Sequence, residues 1–257
     1  AAFESPKYDD TVKSFIVLSL GRVKDRDSLD RLIETVRRER DGQVRRSATI
    51  ALGRIAREQD QAAVDALFDA LTGDRDPVTR HFAAISLAQM DEGKIRERLR
   101  ARFPKSDLMD RPFVALALGI AKDTTAAPML RQALEKSNDE SESSCLCLSL
   151  ALMGDRASAP LLTAHVDSKS KPWLQSYAAI GLGLLRHREA IPLLSKKLED
   201  SNESRIRMNL GVALGLLHAP EAGTYFTSML RVDGSLYERS SAAMSLAVLR
   251  VQGAMTD

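Results

Sequence analysis

A short hydrophobic phrase returns eight times along this chain, and its spacing limits the fold more than any other feature. The fragments LSLGRV, IALGRI, ISLAQM, LALGIA, LALMGD, IGLGLL, VALGLL and MSLAVL align on the residue after a shared Leu. Those residues are Gly21, Gly53, Ala88, Gly119, Met153, Gly183, Gly215 and Ala247, at intervals of 32, 35, 31, 34, 30, 32 and 32. A fixed period of this length marks a repeat architecture. The preceding Leu is present every time, from Leu20 through Leu152 to Leu246, and the residue before it is always small, from Ser19 to Ser245. On a helix the two flanking small positions lie about 100° either side of the Leu. A large residue between two small ones describes a helix pressed by neighbours on both sides. Close approach of that kind offsets the cost of about 1 kcal/mol for Gly inside a helix.

Each phrase reads as the C-terminal part of a helix, the B helix, of about fourteen residues. Between successive B helices lie amphipathic A helices, expected at about 27–40, 61–73, 92–103, 125–137, 157–168, 189–200 and 221–232. Pro128, Pro160 and Pro192 sit near the start of three of them, where a missing N–H matters least. Gly, Asp, Asn and Ser clusters mark the A-to-B turns, and nothing alternates with period two for long enough to be a strand. One helix pair cannot cover its own apolar face, so pairs must stack. The expected fold is an all-α α-solenoid, an α–α superhelix of about eight repeats: one B helix, then seven A–B pairs. No composition break divides it, so residues 1–257 read as one domain, with 1–8 as a flexible N-terminal segment.

The strings VRRSATIALGRIAREQDQAAVDALFDAL, DPVTRHFAAISLAQM, AAPMLRQALEKSNDE and EAIPLLSKKLEDSNESRIRMNLGVALGLL resemble HEAT repeats. The resemblance is to the short bacterial type also found in phycobilisome-lyase proteins, and it covers nearly the whole chain. It implies that a basic residue early in each B helix ties back to an acidic residue of the preceding turn. Eight residues before the aligned position stand Lys13, Arg45, Arg80, Arg111, Arg207 and Arg239, with Cys145 and Gln175 departing from the rule. Asp41, Asp74, Asp76, Asp107, Glu203 and Asp233 are the candidate partners of this structural ladder.

Chemistry would show as residues that break the repeat. His81, His165, His187 and His218 are scattered without ligand spacing, although His187 and His218 follow adjacent B helices. Cys145 and Cys147 point roughly 200° apart on a helix, too divergent to bond each other. Unpaired thiols fit a reducing compartment, the cytoplasm first. No nucleophile elbow, P-loop or dinucleotide fingerprint is present. The net charge of +2 gives no whole-molecule argument for nucleic acid or an anionic membrane, and no apolar run approaches a membrane span. No catalytic residue, metal or cofactor is therefore expected.

One stripe of the B helix departs from uniformity. Positions ten and six before the aligned residue read Thr11/Phe15, Gln43/Ser47, Val78/Phe82, Met109/Phe113, Ser143/Cys147, Trp173/Tyr177, Arg205/Asn209 and Tyr237/Ser241. Variable, aromatic-rich composition suits a recognition surface, although Phe side chains there would equally fill space between A and B helices. Met109, Phe113, Trp173, Tyr177, Tyr237, Phe82 and Arg205 are the candidate partner-binding residues. The first B helix, apolar on every side, and the last, Ala242 to Val251, call for further repeats or for docking, onto a partner or onto each other. The expected function is a non-enzymatic scaffold holding a protein or peptide in the concave B-helix groove. The resemblance also admits a lyase-like role on a bilin or other small ligand, and nucleic-acid binding is a further alternative.

Overall fold

The computed structural model describes residues 8–231, apart from Glu58, Asp91, Glu92, Lys169 and Ser170; beyond 231 it describes only Arg239, Ser240, Ala242, Ala243 and Leu246. Residues 1–7 of the expected N-terminal segment, Asp233, Tyr237, Ser241 and most of the last B helix lie outside the described residues. Among the described residues there are helices, turns and no strand. The fold is an all-α solenoid of packed helix pairs.

Chain contacts divide it into two compact units, Ala1–Ala126 and Ala127–Asp257. The first holds α1 (Asp10–Val23), α2 (Leu29–Arg38), α3 (Gly42–Ile55), α4 (Gln61–Gly73), α5 (Pro77–Gln89), α6 (Gly93–Arg102) and α7 (Arg111–Ile120). The second holds α8 (Ala127–Lys136), α9 (Glu140–Leu152), α10 (Ala159–Asp167), α11 (Pro172–Leu184), α12 (Ile191–Asp200), α13 (Ser204–Leu216) and α14 (Pro220–Arg231). Odd-numbered helices up to α13 are the B helices and even-numbered ones the A helices. B helices pack side by side, α1 on α3 on α5 on α7 and α9 on α11 on α13.

Local chemistry fixes each boundary. The N-cap aspartates Asp9, Asp41, Asp76 and Asp139 accept the backbone N–H three residues on, starting α1, α3, α5 and α9. Most B helices end in a left-handed residue: Lys24, Lys122, Gly154, Arg186 and His218. The amide after it returns to the carbonyl of the shared Leu, as Asp123 N to Leu118 O at 3.0 Å and His187 N to Leu182 O at 3.0 Å, closing a Schellman-type turn. A single 3₁₀ turn then leads into the A helix, at Arg26–Ser28, Thr124–Ala126, Arg156–Ser158 and Arg188–Ala190.

These marks correct the alignment of the fifth copy. Asp139 caps it, Gly154 is its left-handed residue, and Asp155 N bonds Leu150 O at 3.0 Å. The shared Leu is therefore Leu150, wholly buried like Leu52, Leu87, Leu118, Leu182 and Leu214, whereas Leu152 is 38% exposed. Ala151 takes the aligned place assigned to Met153, and the two intervals on either side, 34 and 30, both become 32 residues. Ser143 then stands at the basic position, and Ser141/Cys145 replace Ser143/Cys147 in the stripe. Ser143 and Cys147 are buried.

The core runs along the seam between B helices. A Cβ placed on Gly21 would lie 2.8 Å from Ala51 Cα, and one on Gly183 would lie 3.0 Å from Ala213 O. The aligned small residue of one repeat thus meets the small residue two before the aligned position of the next. The shared Leu fills the space behind, and burying each contributes about 1.5–3 kcal/mol.

Candidate binding face of the B helices

The corrected register turns the stripe into a face. Counted from the aligned residue, positions minus ten, minus six, minus three and plus one project to the same side of each B helix. The minus-three row, Leu18, Ile50, Ile85, Leu116, Leu148, Ile180 and Val212, is apolar and half-buried throughout. The plus-one row reads Arg22, Arg54, Gln89 and Ile120 in the first unit, then Leu152, Leu184 and Leu216 in the second. Ile120, Leu152 and Leu184 are exposed. The two-position stripe did not include this row, and the register slip had placed Leu152 in the core.

In the first unit the face carries Phe15 on α1, Val78 and Phe82 on α5, and Met109 in the turn before α7, all exposed. Phe113 is half-buried and lies flat against His81, ring centroids 3.6 Å apart and planes 8° apart. Beside them Asp110 is buried, with Arg80 Nε at 2.8 and 2.9 Å from its two oxygens and His81 Nε2 at 3.3 Å. Burial holds the His81 pKa below its ordinary value, against the opposing pull of Asp110.

In the second unit Trp173 and Tyr177 are half-buried on α11. The Trp173 and Leu174 amides both donate to Glu140 Oε1, at 3.0 and 3.2 Å, so α9 caps α11, whose own Lys171 supplies no side-chain cap. Asn209 Nδ2 donates to Ser176 Oγ at 3.0 Å, and Arg205 is exposed. Cys145 is half-buried, and burial raises its thiol to about 11. The wholly buried Cys147 is pushed up further by the same cause. Neither thiol has thiolate character at neutral pH. Among the described residues no group of three or more His, Cys, Asp or Glu side chains is placed to hold a metal ion, and no helix is long and apolar enough to cross a membrane.

The basic residues stand on the opposite side of the B helices, and the carboxylates bound by Arg45 and Arg80 come from the following turn rather than the preceding one: Asp74, one of the candidates, and Asp110, which was not. Arg45 binds Asp74 through Nε and Nη2, both at 2.8 Å, while its Nη1 donates to the Glu39 and Arg40 carbonyls. Arg80 repeats the arrangement, with Asp110 ahead and the Asp74 carbonyl behind. The preceding turn thus supplies carbonyls from the end of an A helix, and the carboxylate comes from the following turn. Asp41 and Asp107 are occupied in receiving backbone N–H groups, and Asp76 does so while pairing with Arg46. Lys13 pairs with Asp10 within its own helix at 2.9 Å. Arg111 is half-buried at the start of α7, and Arg239 is exposed. The Arg207 guanidinium stands 5.4 Å over the Tyr225 ring, and its buried Nε has no hydrogen-bond partner among the described residues. Gln175 donates to the Ser168 carbonyl, performing the carbonyl half of the arginine's task. Sequence spacing did not point to the A-side pairs Arg26–Asp60 and Arg131–Asp155, at 3.0 and 2.6 Å.

A family model for HEAT repeats matches residues 4–88, 64–151 and 159–247. Among solved structures, the complex of CpcE and CpcF of phycocyanin lyase from Nostoc sp. PCC7120 is similar at 22% identity, over 84% of this chain and 85% of that one, with a TM-score of 0.58. Human deoxyhypusine hydroxylase in complex with glycerol matches at 18% identity over 90% of this chain and 99% of that one, with a TM-score of 0.39, too low to carry an argument. Comparison with curated proteins gives no significant match. Repeat spacing, stacked helix pairs and a family match over nearly the full length agree, and the chain belongs to the HEAT-repeat family.

Proposed function

We propose that this chain is a protein-binding scaffold that holds a partner protein or peptide against the exposed face of its B helices, without a catalytic step of its own. One observation carries the reading. A stacked solenoid has every reason to bury large apolar side chains, yet Phe82 and Ile120 on B helices of the first unit, Met109 in the turn before α7, and Leu152 and Leu184 on B helices of the second unit stay exposed. Trp173 and Tyr177 add the aromatic anchors that dominate binding energy at interfaces. The structurally similar phycocyanin lyase chains form a complex of two proteins, which supports a protein as the occupant here. The candidate residues Met109, Phe113, Trp173, Tyr177, Phe82 and Arg205 would be its contacts.

The test compares the proteins cross-linked to the wild-type chain in its source cells with those cross-linked to a Trp173→Ala/Leu184→Glu variant. The expected result is loss of the same partner, with a weakening of about 2 kcal/mol or more on the purified pair and unchanged helical circular dichroism. The sole tryptophan, Trp173, should shift its emission when the wild-type chain binds. A partner retained at full affinity by the variant overturns the reading.

A further inference from the structure

We infer that the B-helix face of the first unit selects an acidic amphipathic segment: apolar side chains against Phe82, Met109 and Phe113, carboxylates toward Arg22 and Arg54. The inference rests on the protein-binding role proposed above and specifies the chemistry of its partner. Along the whole chain, 35 acidic residues nearly balance 37 Lys and Arg. On the four rows that form this face of the described B helices, exposed or half-buried for the most part, the balance is gone. No position in them is Asp or Glu, and the charged ones are Arg22, Arg54 and Arg205.

The carboxylates at the starts of α3, α5 and α7 are already committed. Asp41 and Asp107 receive backbone amides, Asp76 is held by Arg46, and Asp110 by Arg80. Arg22 and Arg54 make no ion pair among the described residues and are exposed. They occupy the same row on α1 and α3, two helices packed against each other. A cation in the last turn suits the helix dipole, which explains one such residue at a time. It does not explain why every row lacks a carboxylate. A surface that offers apolar contact and only positive charge attracts an acidic apolar segment and repels a basic one.

The experiment displays a library of random sixteen-residue peptides and selects against three forms of the full chain: wild type, Arg22→Glu/Arg54→Glu, and Phe82→Ser/Met109→Ser. All four substituted side chains are exposed, and circular dichroism checks that each form is folded. The expected wild-type selection pairs Asp or Glu with apolar residues, and those peptides bind the charge-reversed form about tenfold more weakly. The difference shrinks as salt is raised. Selected peptides without acidic enrichment, or unaffected by charge reversal, overturn this inference and leave the scaffold reading standing. No selection by the wild type, or selection that survives Phe82→Ser/Met109→Ser unchanged, overturns both.

Discussion

Gly53 lies so close to Ser86 of the next repeat that a Cβ on it would stand 2.6 Å from the Ser86 Cβ, and Ser86 Oγ donates at 2.9 Å to the Thr49 carbonyl across the same seam. Elsewhere Gly→Ala stabilises a helix by about 1 kcal/mol. Here the methyl group must push two B helices apart. Gly53→Ala should destabilise the chain by about 1–3 kcal/mol. Gly73→Ala, at a site with no atom within 4 Å, should be neutral or slightly stabilising. Urea unfolding midpoints of the two variants check the contrast, and equal midpoints would remove the tight seam from the account.

Arg45 and Asp74 have side chains only 5% and 7% exposed. Arg45→Met leaves the Asp74 carboxylate buried without its cation, and should cost about 3–5 kcal/mol. Adding Asp74→Leu should recover a large part of that loss. Arg38→Ala removes an exposed pair with Glu34 and should change stability by about 0.5 kcal/mol or less. Denaturant titration of all three variants measures the ranking.

Protonation weighs against the fold on its acid side. His81 and His165 both have depressed pKa values, chiefly from burial, the latter helped by Lys171. The unfolded chain therefore takes up these protons first as pH falls. The stability they confer is complete above their ordinary value of 6.5 and is lost as pH drops through it toward the lower folded values. Asp76, held well below the carboxylate range chiefly by Arg46, adds a further loss once the pH falls through 3.8. The midpoint measured from pH 8 to pH 5 should decline, and His81→Gln should flatten that decline. An unaltered slope in the variant would show that His81 is not linked to folding.

Thiol chemistry offers an independent measure of burial. Cys147 should stay unmodified by iodoacetamide until the chain unfolds, and Cys145 should react far more slowly than a free thiol at pH 8 because its pKa stands at about 11. Mass spectrometry of the labelled peptides distinguishes the two. Rapid labelling of Cys147 in the native chain would contradict the packing of α9.

The repeat was legible because its physics is periodic. The buried Leu and its small neighbours recur in type and in spacing, so stacked helices followed from the sequence, and the A helices fall close to their expected places. The fifth copy misled because Leu150 and Leu152 each follow a small residue, Ser149 and Ala151. Composition alone cannot choose between them. The choice is made by the left-handed Gly154 and by the backbone bond to Leu150, which is information about dihedral angles. The arginine ladder was readable as a row, but not its direction. Arg45 reaches both turns at once, and only the packed structure shows which of them supplies a carbonyl and which a carboxylate. Trp173 was visible in the sequence; the Glu140 cap that anchors its backbone spans two repeats and leaves no local signature.

The left-handed turns at Lys122, Gly154, Arg186 and His218 recur at strict intervals with the same backbone bond, which makes the chain divisible. Excising residues 155–186 would splice one such bend onto the continuation of its twin, losing a whole rung and leaving both cut edges with familiar neighbours. A cut two residues shorter would swing every later helix through more than half a turn. Growth and shrinkage of such a protein over evolutionary time therefore proceed in whole modules, and a chain of different length need not relearn how to fold.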